Sequence, residues 1–586
     1  MIRISQIKLD VHHTESDLRE KICKLLRIRE EDLLSYTRKK QSLDARKKPQ
    51  LFYVYTVDVE VKNEREIKKR MKKKKSSDIQ FQPEETAYTL NGCGVRSLAH
   101  RPVVIGMGPA GLFCGYELAR LGYRPILLER GAPVARRLGD VKDFWKTGIL
   151  NPCSNVQFGE GGAGTFSDGK LNTLVHDQEG RNARVFEIFV ENGAPKEILY
   201  QSKPHIGTDI LAKVVQSMRE YIIAHGGEVH FYSQVTDLIT SPREGHRELT
   251  GLVVQKRTDS HLGADGNKPP VQTEIVNTDI AVLAIGHSAR DTFSMLADLK
   301  IPMEAKSFAV GVRMEHPQTM INLAQYGAKE DPDLPPAAYK LTANLPNGRG
   351  VYTFCMCPGG YVVNASSEEK RLAVNGMSYH ARDGVNANSA VVVTVTPKDC
   401  VNFAGQDGTD AIVQKDSTEA PGCEKGAGVK IPVLAGVEFQ GRLEEAAYRA
   451  GGGKIPVQLF GDFCRNRPSA GSGEVLPQMK GSYAWSNVRA IFPEELAESL
   501  EAGIRSFGAR LKGYDRPDAV VSGVESRTSS PVRILRDAAL QSTVTGLYPC
   551  GEGAGYAGGI TSAAIDGLKI AQAIATEYDP GTIQHG

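Results

Sequence analysis

Three glycines follow a short apolar segment near residue 100 and have the spacing of a phosphate-binding turn. The predicted strand Val103–Ile105 runs into Gly106, Gly108 and Gly111, and a helix is predicted to begin at Pro109, since proline suits a first helical turn. Gly106 permits a tight turn, Gly108 lets a pyrophosphate approach the backbone, and Gly111 lets helix and strand pack closely. The free N–H groups of the helix N-terminus favour an anion. The segment therefore predicts binding of a dinucleotide.

An acidic residue closes the next predicted strand, Ile126–Leu128. This residue, Glu129, stands 18 positions after Gly111. A carboxylate at that place accepts hydrogen bonds from an adenosine ribose and repels a 2′-phosphate, which indicates FAD or NAD and not NADP. The same glycine spacing recurs in 159–164 and 553–558, but only the first copy has strand, glycines, helix, strand and acid in order.

Three further segments bear on the choice between NAD and FAD, because they resemble parts of glutathione-reductase-type flavoproteins. Asp279–His287 resembles the strand at which the chain crosses behind the dinucleotide. Glu228–Leu238 resembles the strand whose backbone holds the adenine, with Val235 at the contact position. Thr545–Gly567 resembles the second FAD motif, with Glu552 where aspartate is usual. The resemblance implies FAD as the cofactor.

Other motifs narrow the resemblance to one family. Asn155–Leu171, Tyr352–Gly360 and Gly523–Ile534 are similar to a little-characterised family of bacterial and plastid FAD-dependent dehydrogenases, over about residues 100–575. The family implies an FAD fold with a cap domain and leaves the substrate undefined. The residues expected to contact the cofactor are Gly106, Met107, Gly108, Pro109, Ala110, Gly111, Glu129, Arg130, Gly161, Gly162, Gly164, Val235, Ala284, Gly286, Gly551, Glu552, Gly559 and Ile560.

Candidate catalytic groups are harder to select from sequence. In the superfamily, the segment after the second strand passes over the flavin, so the resemblance places Gly159–Leu171 there. Lys170 is the preferred candidate for a cation that stabilises reduced flavin, and Asp168 could orient it or cap a turn. Cys355 and Cys357 would share one face of a strand and could address one site. Buried packing is the favoured interpretation for this pair, because flavin-linked dithiols usually have CxxC spacing.

Two other sets of polar residues have open interpretations. Glu525, Arg527 and Arg533 could bind an anionic substrate or FAD phosphate, or could form an internal ion-pair network. The lone histidines His287 and His380 are not expected to act as bases. No His/Cys cluster has metal-ligand spacing, so no metal is expected.

The predicted elements give an α/β fold with a Rossmann-type FAD-binding domain (three layers, ββα), a β-rich substrate or cap domain and a small α+β N-terminal domain. The N-terminal unit, in which a strand, a helix and a second strand at 51–61 are predicted, suggests a ferredoxin-like or related arrangement. The predicted boundaries are 1–95 for the N-terminal domain, 96–300 for the first part of the FAD-binding domain, 301–478 for the cap and 479–586 for completion of the FAD-binding domain.

Charge and composition limit the partners. Residues 1–95 hold 22 Lys and Arg against 15 Asp and Glu, although the whole chain carries only +3. The basic run Lys68–Lys75 is interpreted as a solvated helix end or loop, with a nucleic-acid patch as the less favoured alternative. No apolar stretch is long enough to span a membrane, and the ten scattered cysteines lack CxxC spacing, so a cytoplasmic protein with reduced thiols is expected.

The leading functional hypothesis is an enzyme, an FAD-dependent oxidoreductase that passes a hydride between a small-molecule substrate and flavin N5. No separate NAD domain is recognisable, so NAD(H) would visit the flavin only transiently. Two alternatives stay open. The first is an RNA-modifying flavoprotein that uses the basic N-terminal domain, and the second is a non-enzymatic redox sensor that binds FAD.

Overall fold

A computed structural model describes residues 1–71, 77–82, 88–90, 94–173, 175–257, 271–406 and 431–583. Its sheets fall into three groups, which are an N-terminal antiparallel sheet, a central parallel sheet with a smaller antiparallel sheet beside it, and a large β-rich region. The mixed α/β structure with a parallel central sheet agrees with the sequence prediction.

The N-terminal unit has the β-α-β-β-α-β succession of ferredoxin-like folds. Its sheet order places Ile2–Asp10 between Gln50–Val61 and Ile79–Phe81, with Leu33–Lys47 at the edge. The sequence pattern did not predict Leu33–Lys47, because most of its side chains are charged or polar and partly exposed. The helices are Glu15–Leu26 and Glu64–Met71. The basic run begins on the second helix, and its residues 72–75 lie outside the described residues.

The central sheet is parallel and has five short strands. Val103–Ile105 lies in the middle, which is the expected place for the strand that leads into the glycine turn. All three of its residues are buried, since Val104 packs with helices on one face of the sheet and Val103 and Ile105 pack with a second β layer on the other. The strands in spatial order are Leu547–Pro549, Ala281–Leu283, Val103–Ile105, Ile126–Leu128 and Glu228–His230. The neighbouring helices are Pro109–Arg120, Val134–Thr147, Arg181–Glu191, Thr208–Ala224, Arg290–Asp298 and Ile560–Glu577.

A second, antiparallel layer follows the central sheet. Ser233–Arg243, His246–Arg257 and Val271–Asn277 form it, and Val544–Thr545 pairs with it in parallel. The predicted strand Glu228–Leu238 is therefore divided. Its first residues belong to the parallel sheet, and the remainder crosses to the antiparallel layer after Tyr232, whose φ is +54°.

The β-rich region contains a seven-stranded sheet. Its strands in order are Thr342–Asn344, Gly350–Cys357, Asn386–Val395, Phe308–Pro317, Val520–Glu525, Ile455–Leu459 and Tyr483–Trp485. Buried side chains of this sheet, including those of Val520–Glu525, form one large apolar core. Tyr483–Trp485 and Val520–Glu525 belong to this sheet, although the sequence pattern places residues 479–586 in the FAD-binding domain.

Smaller elements complete the fold. A three-stranded sheet joins Val374–Met377, Tyr361–Asn364 and Met479–Lys480, and two short pairs join Met303–Ala305 to Val532–Ile534 and Arg96–Ser97 to Tyr578–Asp579. The helices of the β-rich region are Gln318–Tyr326, Pro397–Gln406, Ala435–Gly451, Phe460–Phe463 and Glu494–Gly508. Among the described residues, none of the helices combines the length and apolarity that a membrane span requires.

The N-terminal unit rests on the β-rich region through its long hairpin. Lys48, at the hairpin tip, donates to the carbonyl of Ala324, and the Tyr53 hydroxyl donates to the carbonyl of Asp333 at 3.0 Å. His12 Nδ1 lies 2.6 Å from Asp333 Oδ2, and Asp331 completes an exposed trio. The N-terminal unit therefore contacts the β-rich region through polar groups.

Candidate functional site

One cavity lies where the glycine turn of the central sheet faces the β-rich region, and it encloses about 340 Å³. Such a position, at the carboxyl ends of the parallel strands, is where open α/β sheets bind ligands. Both predicted catalytic residues and most of the predicted cofactor contacts line it. These residues are Gly106, Met107, Gly108, Pro109, Ala110, Glu129, Arg130, Gly162, Gly164, Asp168, Lys170, Val235, Ala284, Gly286, Glu552, Gly559 and Ile560.

Three predicted cofactor contacts, Gly111, Gly161 and Gly551, do not line the cavity and shape it from behind. A Cβ on Gly111 would lie 1.9 Å from the carbonyl oxygen of Gly106, so only glycine allows the helix to pack at this distance from the turn. Gly161 donates its N–H to the Met107 carbonyl at 2.8 Å. Gly551 donates to Asp566 Oδ2 at 2.8 Å. These glycines fix the backbone around the cavity.

The glycine turn leaves room for a phosphate group. A Cβ on Gly108 would meet no atom closer than 3.9 Å, and a Cβ on Gly558 or Gly559 would have nothing within 4 Å. Two helices, Pro109–Arg120 and Ile560–Glu577, begin next to these glycines, and their N-terminal N–H groups favour anions. The open backbone and the paired helix N-termini fit the diphosphate and the electron-rich ring edge of FAD.

Glu129 is buried and tied to the backbone on both sides of the turn. Its Oε2 accepts from the N–H of Met107 at 2.8 Å, and its Oε1 accepts from Gly131 and Gly159 at 2.8 and 3.0 Å. An ionised carboxylate has about four lone-pair positions, so one remains for a ribose hydroxyl. Glu129 thus joins the glycine turn to the second glycine-rich loop.

Arg137 holds that second loop in shape. The side chain is completely buried, and its guanidinium donates to five carbonyl oxygens at 2.7–3.2 Å. The acceptors belong to Asn155, Val156, Gly159, Glu160 and Gly162. Burial lowers the pKa of Arg137 to about 10, so the guanidinium is still charged at neutral pH. Nothing in the sequence singles out this residue, because a helical Arg beside Arg136 resembles a solvated position.

Lys170 and Asp168 form the predicted pair. Lys170 Nζ lies 3.5 Å from Asp168 Oδ2, so Asp168 does orient the lysine. Asp168 is only 1% exposed and also accepts from Ser378 and Arg382. Burial opposes ionisation of Asp168, but Lys170 and Arg382 outweigh it and lower the pKa of that carboxyl. The group is therefore an ionised anchor for two cations at the edge of the cavity.

The second motif places Glu552 on the opposite side of the cavity. Glu552 Oε1 lies 3.0 Å from His287 Nδ1, and both residues line the cavity. His287 Nε2 is buried and has no hydrogen-bond partner among the described residues. The pattern of the sequence did not favour a role for His287, and the structure brings it to the site because it follows the strand Ala281–Leu283.

The remaining wall comes from the β-rich region and consists of Phe354, Cys355, Asn375 and Glu525, here called the cap wall. Glu525 accepts from Arg313 Nε at 2.9 Å, and Arg313 is completely buried. Burial outweighs this partner and raises the pKa of Glu525.

Arg527 belongs to a buried ion-pair network around Glu444, one of the interpretations left open above, and Glu525 pairs with the buried Arg313, whereas Arg533 forms an exposed pair. Arg527 pairs with Glu444 at 2.9 Å, and Arg533 pairs with Glu304 at 3.0 Å. Burial alone would raise the pKa of Glu444, but Arg527 and Arg290 outweigh it and lower that pKa strongly. Arg527 and Thr528 still line the cavity, so the network forms part of its floor.

Family models match two parts of the chain. Residues 307–528 match the family described as FAD-dependent protein, C-terminal domain-like. Residues 1–60 match a domain of unknown function. The first match covers most of the β-rich region, including Tyr483–Trp485 and Val520–Glu525. It confirms FAD, predicted above, as the cofactor of this protein.

A full-length relative and several solved structures are also similar. An uncharacterized protein of Clostridium beijerinckii is 44% identical over 583 residues, which is 99% of each chain. CtdE in complex with FAD is 13% identical, with a TM-score of 0.28, over 81% of this chain and 84% of that one. The FrdA chain of Escherichia coli quinol fumarate reductase is 10% identical, with a TM-score of 0.31, over 81% and 69%.

Proposed function

Because the chain belongs to one family with the uncharacterized Clostridium beijerinckii protein, and because its cofactor is FAD, we propose that it is an FAD-dependent oxidoreductase. A hydride passes between a small organic substrate and flavin N5. The single observation that supports this is that one cavity joins the glycine turn to the cap wall. We propose that the family is the bacterial and plastid FAD-dependent dehydrogenases that the sequence resembles.

When bound, FAD supplies the two-electron redox chemistry, and the protein supplies binding, orientation and electrostatics. Gly108 and Gly559 would leave space for the cofactor, Gly106 lets the turn pack against Ala284, and the two helix N-termini would favour its negative groups. Lys170 places a positive charge in the cavity. Since Asp168 is held by Arg382 and Ser378 as well, the lysine is oriented by a group that cannot itself move away.

The cap wall closes the side of the cavity opposite the glycine turn. Phe354 supplies an apolar surface there, and Asn375 supplies polar atoms. Thr528, in the floor of the cavity, adds a hydroxyl group. Apolar walls with a few placed polar groups are typical of small-molecule sites. A substrate in this position is shielded from water between the cap wall and the cofactor.

The first experiment measures the absorption spectrum of the purified protein before and after anaerobic addition of NADH or NADPH. A flavin spectrum is expected. Bleaching by NADH makes a pyridine nucleotide the electron donor through transient binding, and the absence of bleaching directs the search to organic donors. A protein that neither contains FAD nor can be reconstituted with it contradicts the proposal.

The second experiment separates the role of Lys170 from cofactor binding. In Lys170→Gln, flavin reduction is expected to be about 100-fold slower, because a positioned charge that stabilises a transition state contributes about that much. The FAD dissociation constant should stay within about threefold of the wild-type value. Lys170→Arg should recover part of the rate, and Lys203→Gln, at an exposed position outside the cavity, should behave as wild type. Equal rates in Lys170→Gln and wild type would remove the lysine from the mechanism.

A further inference from the structure

Cys355 and Cys357 lie at the end of the strand Gly350–Cys357 in the seven-stranded sheet. The sequence favours buried packing for both cysteines, but the structure places them differently. Cys355 is partly exposed and lines the flavin cavity, together with Lys170 and Asn375. Cys357 is buried directly behind it, with its thiol 3.3 Å from the Cys355 carbonyl oxygen. One thiol therefore faces the ligand space, and the other lies within reach of the first.

The backbone at this point is held in a costly conformation. Cys355 has a φ of +43°, and the pairing register with Asn386–Val395 shifts between Phe354 and Cys357. A non-glycine residue in the left-handed region is strained and persists only where its surroundings enforce it. Arg313 enforces it here, because two of its N–H groups donate to the Cys355 carbonyl at 3.2 Å each. A completely buried arginine thus fixes the turn that presents Cys355 to the cavity.

The charges around the pair favour a thiolate at the exposed position. The hydrogen bond from the Cys357 thiol, followed by the positive charges of Arg313 and Lys170, outweighs burial and lowers the pKa of Cys355. Burial and the neighbouring Cys355 raise the pKa of Cys357. Cys400, a buried packing cysteine, shows a pKa shift in the opposite direction, because burial raises its pKa to about 12. Thiolate character beside a cationic group is the mark of a reactive cysteine.

We propose that Cys355 and Cys357 are a redox-active dithiol that receives electrons from the reduced flavin and reduces a small disulfide. This proposal deepens the proposed function, on which it rests, by naming a substrate class for the cavity. The substrate has to be small, since Cys355 lines a cavity of about 340 Å³.

The electrons and atoms balance in two steps. The Cys355 thiolate attacks one sulfur of the substrate disulfide, and the other sulfur leaves as a thiolate that takes a proton from water. Cys357 then loses its proton and attacks Cys355, which releases the second substrate thiol and leaves a bond between the two cysteine sulfurs. That bond accepts two electrons from reduced flavin and one proton, which restores the thiolate and the thiol. The organic hydride donor of the proposed function reduces the flavin again.

The test counts the electrons that the full-length, FAD-loaded protein accepts. The protein is oxidised with diamide, freed of reagent and titrated anaerobically with dithionite. A flavin and a disulfide each take two electrons, so about four electrons per flavin are expected. Cys355→Ser and Cys357→Ser should each fall to about two, and Cys464→Ser, a partly buried cysteine outside the cavity, should keep about four.

Alkylation of the wild-type protein gives a result that does not depend on how the variants fold. After diamide, peptide mapping without reductant should show Cys355 linked to Cys357, and both should be alkylated only after reduction. A wild-type value of about two electrons per flavin, with both cysteines alkylated after diamide, overturns the dithiol and leaves the flavin oxidoreductase intact. A linked pair in a protein whose flavin takes no electrons would instead contradict the proposed function.

Discussion

The two sides of the cavity are built by different means. The glycine turn and Glu129 use backbone atoms from one short stretch, since Glu129 binds the N–H of Met107 only 22 positions earlier. The cap wall is held by side-chain pairs brought together over long sequence distances, such as Arg313 and Glu525, which are 212 positions apart. The first side recognises a constant cofactor through space and N–H groups. The second tunes charge, which suits the part that meets a variable substrate.

Arg137 shares features of both sides of the cavity. It lies on the cofactor side, but like the residues behind the cap wall it is a buried charged side chain that holds the backbone of a loop in place. Its counterpart Arg313 in the cap fixes the turn at Cys355 in the same way. Both arginines are completely buried, and both donate to backbone carbonyl oxygens. The difference between the two sides is therefore one of sequence distance and ligand, not of packing.

The largest loss of cofactor binding is expected when a side chain is introduced where Gly111 packs against Gly106. In Gly111→Ala, the new Cβ would lie 1.9 Å from the Gly106 carbonyl oxygen, and backbone cannot rotate away as a side chain can. We expect FAD affinity to fall by about 100-fold or more and the protein to lose about 1–3 kcal/mol of stability. FAD titration and thermal unfolding measure the two effects.

The control for this variant is Gly139→Ala. Gly139 lies in the helix Val134–Thr147, and a Cβ there would meet nothing within 4 Å. Alanine in an exposed helix should stabilise the protein by about 0.5–1 kcal/mol and leave FAD binding unchanged. If Gly111→Ala bound FAD like this control, close packing behind the turn would not be what shapes the cofactor site.

The next largest effect is expected from Arg137→Met. The substitution keeps much of the apolar volume but removes five hydrogen bonds, and of the five carbonyl acceptors those of Gly159, Glu160 and Gly162 keep another donor. We expect a loss of roughly 3 kcal/mol or more in the free energy of unfolding, because unsatisfied buried acceptors are costly. FAD affinity should fall about tenfold for each 1.4 kcal/mol by which the loop is destabilised.

Arg136→Gln is the matched neighbour. Arg136 is 43% exposed and its partner Asp140 is buried, so its loss should cost about 1–2 kcal/mol, less than is expected of Arg137→Met. Arg137→Lys should resemble Arg137→Met more than wild type, since a lysine lacks the planar fork. An Arg137→Met protein as stable as Arg136→Gln would show that the carbonyls find other donors.

The contrast also explains what the sequence could predict. The turn at Gly106–Gly111, its acid and the packing role of Gly111 follow from a contiguous pattern, so they were predictable from local spacing. The exposure of Cys355 was not, because it depends on a register shift against a strand some thirty residues later and on a buried arginine in a third strand. The same holds for Arg527, whose partner Glu444 is 83 positions away. Pairing partners distant in sequence leave no periodic signal.

The last expected effect concerns pH and distinguishes the β-rich region from the cofactor side. His316 is fully buried in the cap sheet, its Nε2 lies 2.6 Å from the Tyr514 carbonyl, and burial lowers its pKa to about 4. The unfolded state, with a pKa near 6.5, binds the proton more tightly. Above pH 6.5 both states are neutral. As pH falls from 6.5 to 4, the folded state should lose on the order of 3 kcal/mol.

Chemical denaturation at several pH values measures this loss, and the two tryptophans of the chain locate it. Trp485 lies in the seven-stranded sheet, whereas Trp145 lies in the helix Val134–Thr147 on the cofactor side. Trp145→Phe therefore leaves Trp485 as the single tryptophan reporter. In that background, His316→Gln should flatten the dependence between pH 6.5 and 4, and the exposed His176→Gln should not. Identical slopes in the two histidine variants would mean that the acid sensitivity of the cap arises from other buried groups, and the cap would then differ from the cofactor side in charge but not in its response to pH.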